Sequence, residues 1–183
     1  VRDMEIIDLE LQVRDLDLVQ RKIQRLEKAA KSGDKEIKRQ ITVLEKLADH
    51  LENFNNVRDF EISKEDRNLI LDDLFLLTDK PVMYVCNVDD SSAVEGNKYS
   101  KKIEEVLKDQ DTQVLTLAGE LEAEIAELDT EEERREFLED AGLDAPGVDK
   151  MIRAAYDLLN LQSFFTAGPK EVRAWKIKKG MTA

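Results

Sequence analysis

Along the first third of the chain, apolar residues recur three and four positions apart: Leu16, Val19, Ile23, Leu26 and Ala30, then Ile37, Ile41, Leu44, Ala48 and Leu51. Such spacing lines one seam of an α-helix. Between the runs, Ser32, Gly33 and Asp34 supply a helix stop, a permissive backbone and a new N-cap. So short a link turns the second helix back along the first. Residues 1–55 are therefore expected to form an antiparallel coiled-coil hairpin, its first helix running from Asp3 to about Lys31.

The pattern then changes. After an irregular stretch from Asn53 to Ile62, Ser63 and Asp66 resemble a helix-capping box, and the helix they open is expected to reach about Leu77. Pro81 precedes the apolar run Val82, Met83, Tyr84, Val85 and Cys86, which reads as a buried parallel strand opening into the loop Asn87-Val88-Asp89-Asp90. A helix from about Tyr99 to Lys108 leads to a second strand, Gln113 to Leu117, and to a helix carrying Leu121, Ile125 and Leu128. Strand alternating with helix is the signature of an α/β sheet. Thr130 with Glu133 forms a capping box for a helix to Ala141, which Gly142 ends. The next helix, Val148 to Leu159, is expected to turn Met151, Ile152, Ala155, Leu158 and Leu159 toward a core. From Ser163 the character is that of strands, with Gly168 and Pro169 at a turn and Val172, Ala174, Trp175 and Ile177 in the second.

Composition narrows the class. The chain has 183 residues, 42% hydrophobic and 38% charged, enough to bury a core; 5% aromatics, seven glycines and three prolines suit long helices. A single cysteine, Cys86, excludes an intrachain disulfide and a multi-cysteine metal site, and a single histidine, His50, excludes paired-histidine zinc chemistry. Cys86 is expected to pack as a small hydrophobe, and His50 to sit at a helix terminus where its charged form favours the dipole. No apolar run approaches about 20 residues. With no basic and apolar leader and no initiating methionine, the expectation is a cytoplasmic protein represented by a fragment.

A phosphate loop needs Gly-x-x-x-x-Gly-Lys-Ser/Thr, because backbone N–H groups must approach the phosphates and the lysine must neutralise them. Gly142 and Gly147 have that glycine spacing, but Val148 stands where the lysine belongs. Asp144 with Gly147 matches the magnesium-binding Asp-x-x-Gly only in letters, since Phe137 to Glu139 before it read as helix rather than strand. No catalytic residue and no metal ligand is expected within the chain. The loop at 87–90 is more informative: an amide followed three residues later by a carboxylate suits the edge of a purine base, while a solvated polar turn after a core strand is the alternative.

Several stretches together resemble the YchF/Obg-like ATPase family of P-loop NTPases. They are Arg2 to Ile7, Lys80-Pro81-Val82-Met83-Tyr84-Val85-Cys86-Asn87-Val88, Glu122 to Leu128, Ile152 to Leu159 and, most specific, Phe164-Phe165-Thr166-Ala167-Gly168-Pro169-Lys170-Glu171-Val172-Arg173-Ala174-Trp175. The resemblance covers essentially the whole chain. It implies a coiled-coil insertion over residues 1–60, the C-terminal half of a nucleotide-binding α/β domain over 61–161, and the beginning of a β-rich TGS domain over 162–183. It also implies that the phosphate loop and magnesium motif precede this segment. Related GTPases read guanine with Asn-Lys-x-Asp, and this family usually carries Asn-x-x-Glu; here Val88 replaces the lysine and Asp90 takes the carboxylate position after Asn87. The resemblance thus favours ATP and keeps GTP in contention. Ala118, Gly119 and Glu120 stand where such enzymes have Ser-Ala-Lys, leaving the backbone of Ala118 and Gly119 as the second base contact.

Charge adds a partner. With 28 basic and 41 acidic residues the chain is acidic, net −13. Yet between Arg21 and Arg39 eight basic residues (Arg21, Lys22, Arg25, Lys28, Lys31, Lys35, Lys38 and Arg39) face Glu27, Asp34 and Glu36, a net of +5 at the hairpin tip. Residues 170–179 carry five basic side chains against one acidic. A basic tip on an acidic protein suits phosphate, hence RNA or a ribosome, with Lys28, Lys31, Lys35 and Lys38 as candidate contacts; the alternative is lysines that solubilise a coiled coil. The expected function is a ribosome-associated NTPase using Mg²⁺ with ATP or GTP in the intact protein, this segment being inactive alone and supplying base recognition and a helical arm. The rival is a non-enzymatic RNA- or protein-binding coiled-coil adaptor. No membrane partner is expected.

Overall fold

The computed structural model describes residues 1–30, 34–110 and 112–182. It divides into two compact units, Val1–Pro81 and the chain from Val82 onward. No helix among the described residues is long and apolar enough to cross a membrane.

In the first unit, α1 (Arg2–Ala29) and α2 (Lys35–Glu52) pack side by side. Gln12, near the start of α1, bonds to Phe54 and Asn56 just past the end of α2, so the helices are antiparallel as the short link requires. Asp34 is the N-cap of α2, its carboxylate accepting from the Glu36 and Ile37 N–H groups. Ser32 and Gly33, read as the helix stop, lie outside the described residues. Leu44, Leu47, Ala48 and Leu51 of α2 are buried together with Val19, Val57, Ile70, Leu71 and Leu76, and Leu16, Ile23 and Leu26 pack against them.

The hairpin is more than two helices. On α1 the buried positions are Gln12, Asp15, Val19 and Lys22, a helical stripe that is polar at every place but one. Its partners come from the chain that follows α2. The Asp15 carboxylate accepts from the Leu77 and Thr78 N–H groups and from the Thr78 hydroxyl, each at 2.7 Å. Thr78 in turn accepts from the Val57 N–H at 3.0 Å. The Lys22 ammonium donates to the Ile70 carbonyl at 2.7 Å and to Asp73. An irregular segment carries N–H and C=O groups that no ladder pairs, and buried side chains must pair them instead.

That requirement corrects the helix expected from Ser63 to Leu77. Ser63 does cap, accepting from the Asp66 N–H, but α3 (Lys64–Asp66) passes into a π-helical turn at Arg67–Leu71 and stops. A helix continued to Leu77 would engage the Leu77 and Thr78 N–H groups internally, whereas they are held by Asp15. His50, in the last turn of α2, is more than a helix-end residue: its Nε2 lies 2.9 Å from the Asn56 carbonyl and its ring packs on Phe60.

In the second unit, β1 (Met83–Asn87) and β2 (Gln113–Leu117) pair in parallel, Met83 opposite Gln113 and Asn87 opposite Leu117. The connection carries a 3₁₀ turn (Asp90–Ser92) and α4 (Lys98–Leu107). Then come α5 (Gly119–Glu127), α6 (Glu131–Asp140) and α7 (Gly147–Leu158). Thr130 and Glu133 form the expected reciprocal capping box of α6, and Gly142 ends it at φ +70°. Strands β3 (Leu161–Ala167) and β4 (Val172–Lys178) form a separate antiparallel hairpin. The fold class is thus α/β with an antiparallel helical hairpin.

Two expectations about burial change. The apolar run of β1 is not covered on both faces: Val85 is 42% exposed and none of the five residues is fully buried, because β2 is its only strand partner among the described residues. Ile152 and Leu159 of the α7 segment, expected in a core, are each 50% exposed. The compact core of this unit is Ala93, Ala118, Leu121 and Ile125, with Val88, Phe137, Leu138, Ala141 and Leu143 packed against it.

Candidate nucleotide-base site

Parallel pairing brings the C-terminal ends of β1 and β2 to one edge, the place where α/β sheets hold ligands. Asn87 is the last residue of β1 rather than the first of a loop. The Val88 N–H donates to the Leu117 carbonyl at 3.0 Å, so the chains leaving the two strands stay in register for one more step. There the Asn87 Oδ1 accepts from the Gly119 N–H at 2.9 Å. This bond ties together two segments that the sequence separates by 32 residues.

The expected site residues divide by role. Asn87 and Gly119 are exposed and joined. Val88, where related GTPases carry lysine, is half-buried against the Ala118, Leu121 and Ile125 cluster. Ala118 is 2% exposed, so its methyl belongs to the core and only its backbone lies near the edge. Asp90 opens the 3₁₀ turn and is exposed. Its neighbour Asp89 is engaged locally: hydrogen bonds from Ser91 and Ser92 hold its carboxyl below the usual carboxylate range. Cys86 is half-buried in β1, and burial, then the nearby Glu104 carboxylate, raise its thiol pKa, which keeps it a packing residue.

Glu122 and Gly147 were not singled out together by the sequence. The two oxygens of Glu122 on α5 accept from the Gly147 and Val148 N–H groups at 2.5 and 3.1 Å. They cap α7, whose N-cap residue Pro146 offers no side-chain acceptor. A helix opening on Pro-Gly-Val without a local cap was the available signal. The pairing also explains the false phosphate-loop spacing: Gly142 terminates α6 at positive φ, and Gly147 lets a carboxylate close on a helix start. Asp144 is exposed in the turn between helices, 3.8 Å from Lys150, and closes no strand. A Cβ at residue 147 would lie 2.7 Å from Glu122 Oε1 and 3.0 Å from Leu117 Cβ. Gly147→Ala is therefore expected to destabilise the second unit by about 1 to 2 kcal/mol. Thermal unfolding followed through the single tryptophan, Trp175, measures it, and the loss should shrink in a Glu122→Ala background, where the closest clash is gone.

The basic tip is reduced by the structure. Lys22 is buried beside Ile70 and Asp73, Arg21 pairs with Asp17, and Arg39 pairs with Asp66 at 2.7 Å. Arg25, Lys28, Lys35 and Lys38 are exposed, with no ion pair among the described residues; Lys31 lies outside them.

No family model matches the chain. Over 181 residues it is 45% identical to the ribosome-binding ATPase YchF of Escherichia coli O157:H7, covering 99% of this chain and 49% of that protein. The Bacillus subtilis (strain 168) protein of the same name is 40% identical over 185 residues, 100% of this chain and 50% of its own. A solved structure of the Schizosaccharomyces pombe YchF GTPase superposes with a TM-score of 0.85 at 30% identity, covering all of this chain and 50% of that one. Across its whole length the chain is similar to these YchF proteins. It spans about half the length of the curated relatives it matches. The names of these YchF proteins differ in the nucleotide, ATP in the bacterial pair and GTP in the Schizosaccharomyces pombe structure.

Proposed function

We propose that this chain supplies the base-recognition loops and a helical partner arm of a ribosome-associated P-loop NTPase that binds and hydrolyses ATP, with GTP as the competing substrate. The observation that carries the reading is the Asn87–Gly119 bond, which joins the two candidate base-contacting segments at the C-terminal edge of a parallel strand pair in a chain similar to YchF proteins. Residues 1–60 are assigned to the coiled-coil insertion, 61–161 to the C-terminal half of the nucleotide-binding domain and 162–183 to the start of a TGS domain, although residues 61–81 pack in one compact unit with the hairpin. Asn87, Val88, Asp90, Ala118 and Gly119 form the base site, with Val88 packed beneath it and Ala118 contributing its backbone.

Phosphate binding falls outside this segment, which offers no lysine-bearing glycine loop. Magnesium would accompany the nucleotide and offset phosphate charge. The segment alone is accordingly expected to bind nucleotide weakly and to be inactive.

The helical arm presents Lys28, Lys35 and Lys38, with Lys31 beside them in sequence, to a polyanion. Reversing all four to glutamate is expected to leave melting nearly unchanged, since exposed charges contribute little to stability. Ribosome co-sedimentation of a family-length protein carrying this sequence should fall, and that of the unmutated protein should decline steeply with salt as counterions are released. Equal sedimentation of both proteins at every salt concentration would make the tip a solvated face. ATP turnover that is absent from the family-length protein, with binding to RNA intact, would favour the adaptor reading.

A further inference from the structure

We propose that Gly119 sets the base preference of this site by holding the Asn87 carboxamide in one orientation and withholding its own N–H from a 6-oxo purine. The inference rests on the base-site reading above and gives a specificity role to a residue whose side chain is a single hydrogen.

A carboxamide presents an acceptor on one side and donors on the other. Because the Gly119 N–H is a donor, the oxygen of Asn87 must face it, at 2.9 Å, and Nδ2 faces away. The exposed side of Asn87 is thereby a donor. Purines share an acceptor at N7 and differ at position 6, where adenine offers an amino donor and guanine an oxygen acceptor. A fixed Nδ2 suits N7 of either base. The Gly119 N–H is the donor at this edge that could serve a 6-oxo group, and Asn87 already consumes it. Asp90, an acceptor, serves the amino group of adenine or the ring N–H of guanine, so it does not replace the missing donor. The lock therefore costs guanine a contact, whereas the second lone pair of Asn87 Oδ1 remains for the amino group of adenine.

Space at the position is also tight. A Cβ there would sit 3.1 Å from Asn87 Oδ1, so the amide oxygen must give by a few tenths of an ångström. The peptide at 119 is not in the left-handed region, so alanine is compatible with the backbone at the first position of α5. Gly119→Ala is thus a steric probe of the lock and spares the helix.

The experiment measures dissociation constants of ATP, 7-deaza-ATP, which lacks the N7 acceptor, and GTP by calorimetry, in a family-length protein carrying this sequence and in its Asn87→Ala and Gly119→Ala variants. The unmutated protein should bind 7-deaza-ATP on the order of 10-fold more weakly than ATP. Asn87→Ala should bind ATP and 7-deaza-ATP alike, and its ATP to GTP preference should drop about 5-fold or more, because the freed Gly119 N–H becomes available to the guanine oxygen. Gly119→Ala should move both ratios in the same direction with Asn87 still present. Loss of discrimination against 7-deaza-ATP in Asn87→Ala, with the ATP to GTP ratio unchanged in both variants, would overturn the lock and leave the base-site reading standing, whereas both ratios unchanged in both variants would overturn the two together. A family-length protein that binds no purine nucleotide would overturn both.

Discussion

Replacing Asp15 by alanine is expected to lower the unfolding free energy of the hairpin unit by about 3 to 5 kcal/mol, the range for removing one partner from a buried, charged hydrogen-bond cluster. Asp15 is fully buried on α1 and accepts three hydrogen bonds, from two backbone N–H groups and one hydroxyl. Without it, the Leu77 and Thr78 N–H groups are left unpaired in the interior, and the Thr78 hydroxyl, which also receives the Val57 N–H, loses its acceptor. A water molecule entering the vacated space would recover part of the loss and sets the low end of the range. An asparagine at this position would keep one acceptor and turn its amino group toward a donor, so Asp15→Asn should recover less than half of the difference. Urea denaturation followed by far-UV circular dichroism reads both variants. A change below about 1 kcal/mol for alanine, the worth of one ordinary hydrogen bond, would mean that the Leu77–Thr78 segment is held by its apolar neighbours alone.

Leu44→Ala should cost a similar amount for a different reason, about 2 to 5 kcal/mol from lost transfer energy and the cavity left behind. Leu44 is fully buried where α2 meets α1, within a cluster that includes Val19, Leu47 and Leu51. Leu26, which the same periodicity places on the seam, is only partly buried, and Leu26→Ala should therefore cost clearly less. The same denaturation assay orders the two. Equal losses would show that α1 and α2 bury their seam evenly along its length, as a simple two-helix coiled coil does.

That ordering marks where periodicity stopped being informative. Helical spacing on α2 was sufficient in its second half, where Leu44, Ala48 and Leu51 are buried as read and Leu47 joins them, while Ile37 and Ile41 of the same seam are only half-buried. On α1 the apolar register ran through Leu16, Val19, Ile23 and Leu26, while the buried stripe is Gln12, Asp15, Val19 and Lys22. Polar residues in a helix ordinarily signal solvent, and nothing local shows that a distant irregular segment will bring unpaired backbone groups against them. The same cause ended α3 early and recruited Lys22 out of the basic cluster. At the candidate base site, the strands and their parallel sense were legible, with Asn87, Asp90 and Gly119 as candidates. The orientation of Asn87 was not, because it depends on a bond between residues 32 positions apart.

What the sequence determined by itself is therefore what short-range physics controls. The caps at Asp34, Ser63 and Thr130, the glycine stop at residue 142, the β2 span at Gln113–Leu117 and the alternation of strand with helix all follow from neighbours within a turn or two. Tertiary structure alone decided which polar groups found each other: Asp15 with Thr78, Glu122 with the start of α7, and Asn87 with Gly119. Those bonds are buried or directional and span 25 to 63 residues of sequence. Their partners are fixed only when packing of the apolar residues has set the distances, which no local pattern encodes.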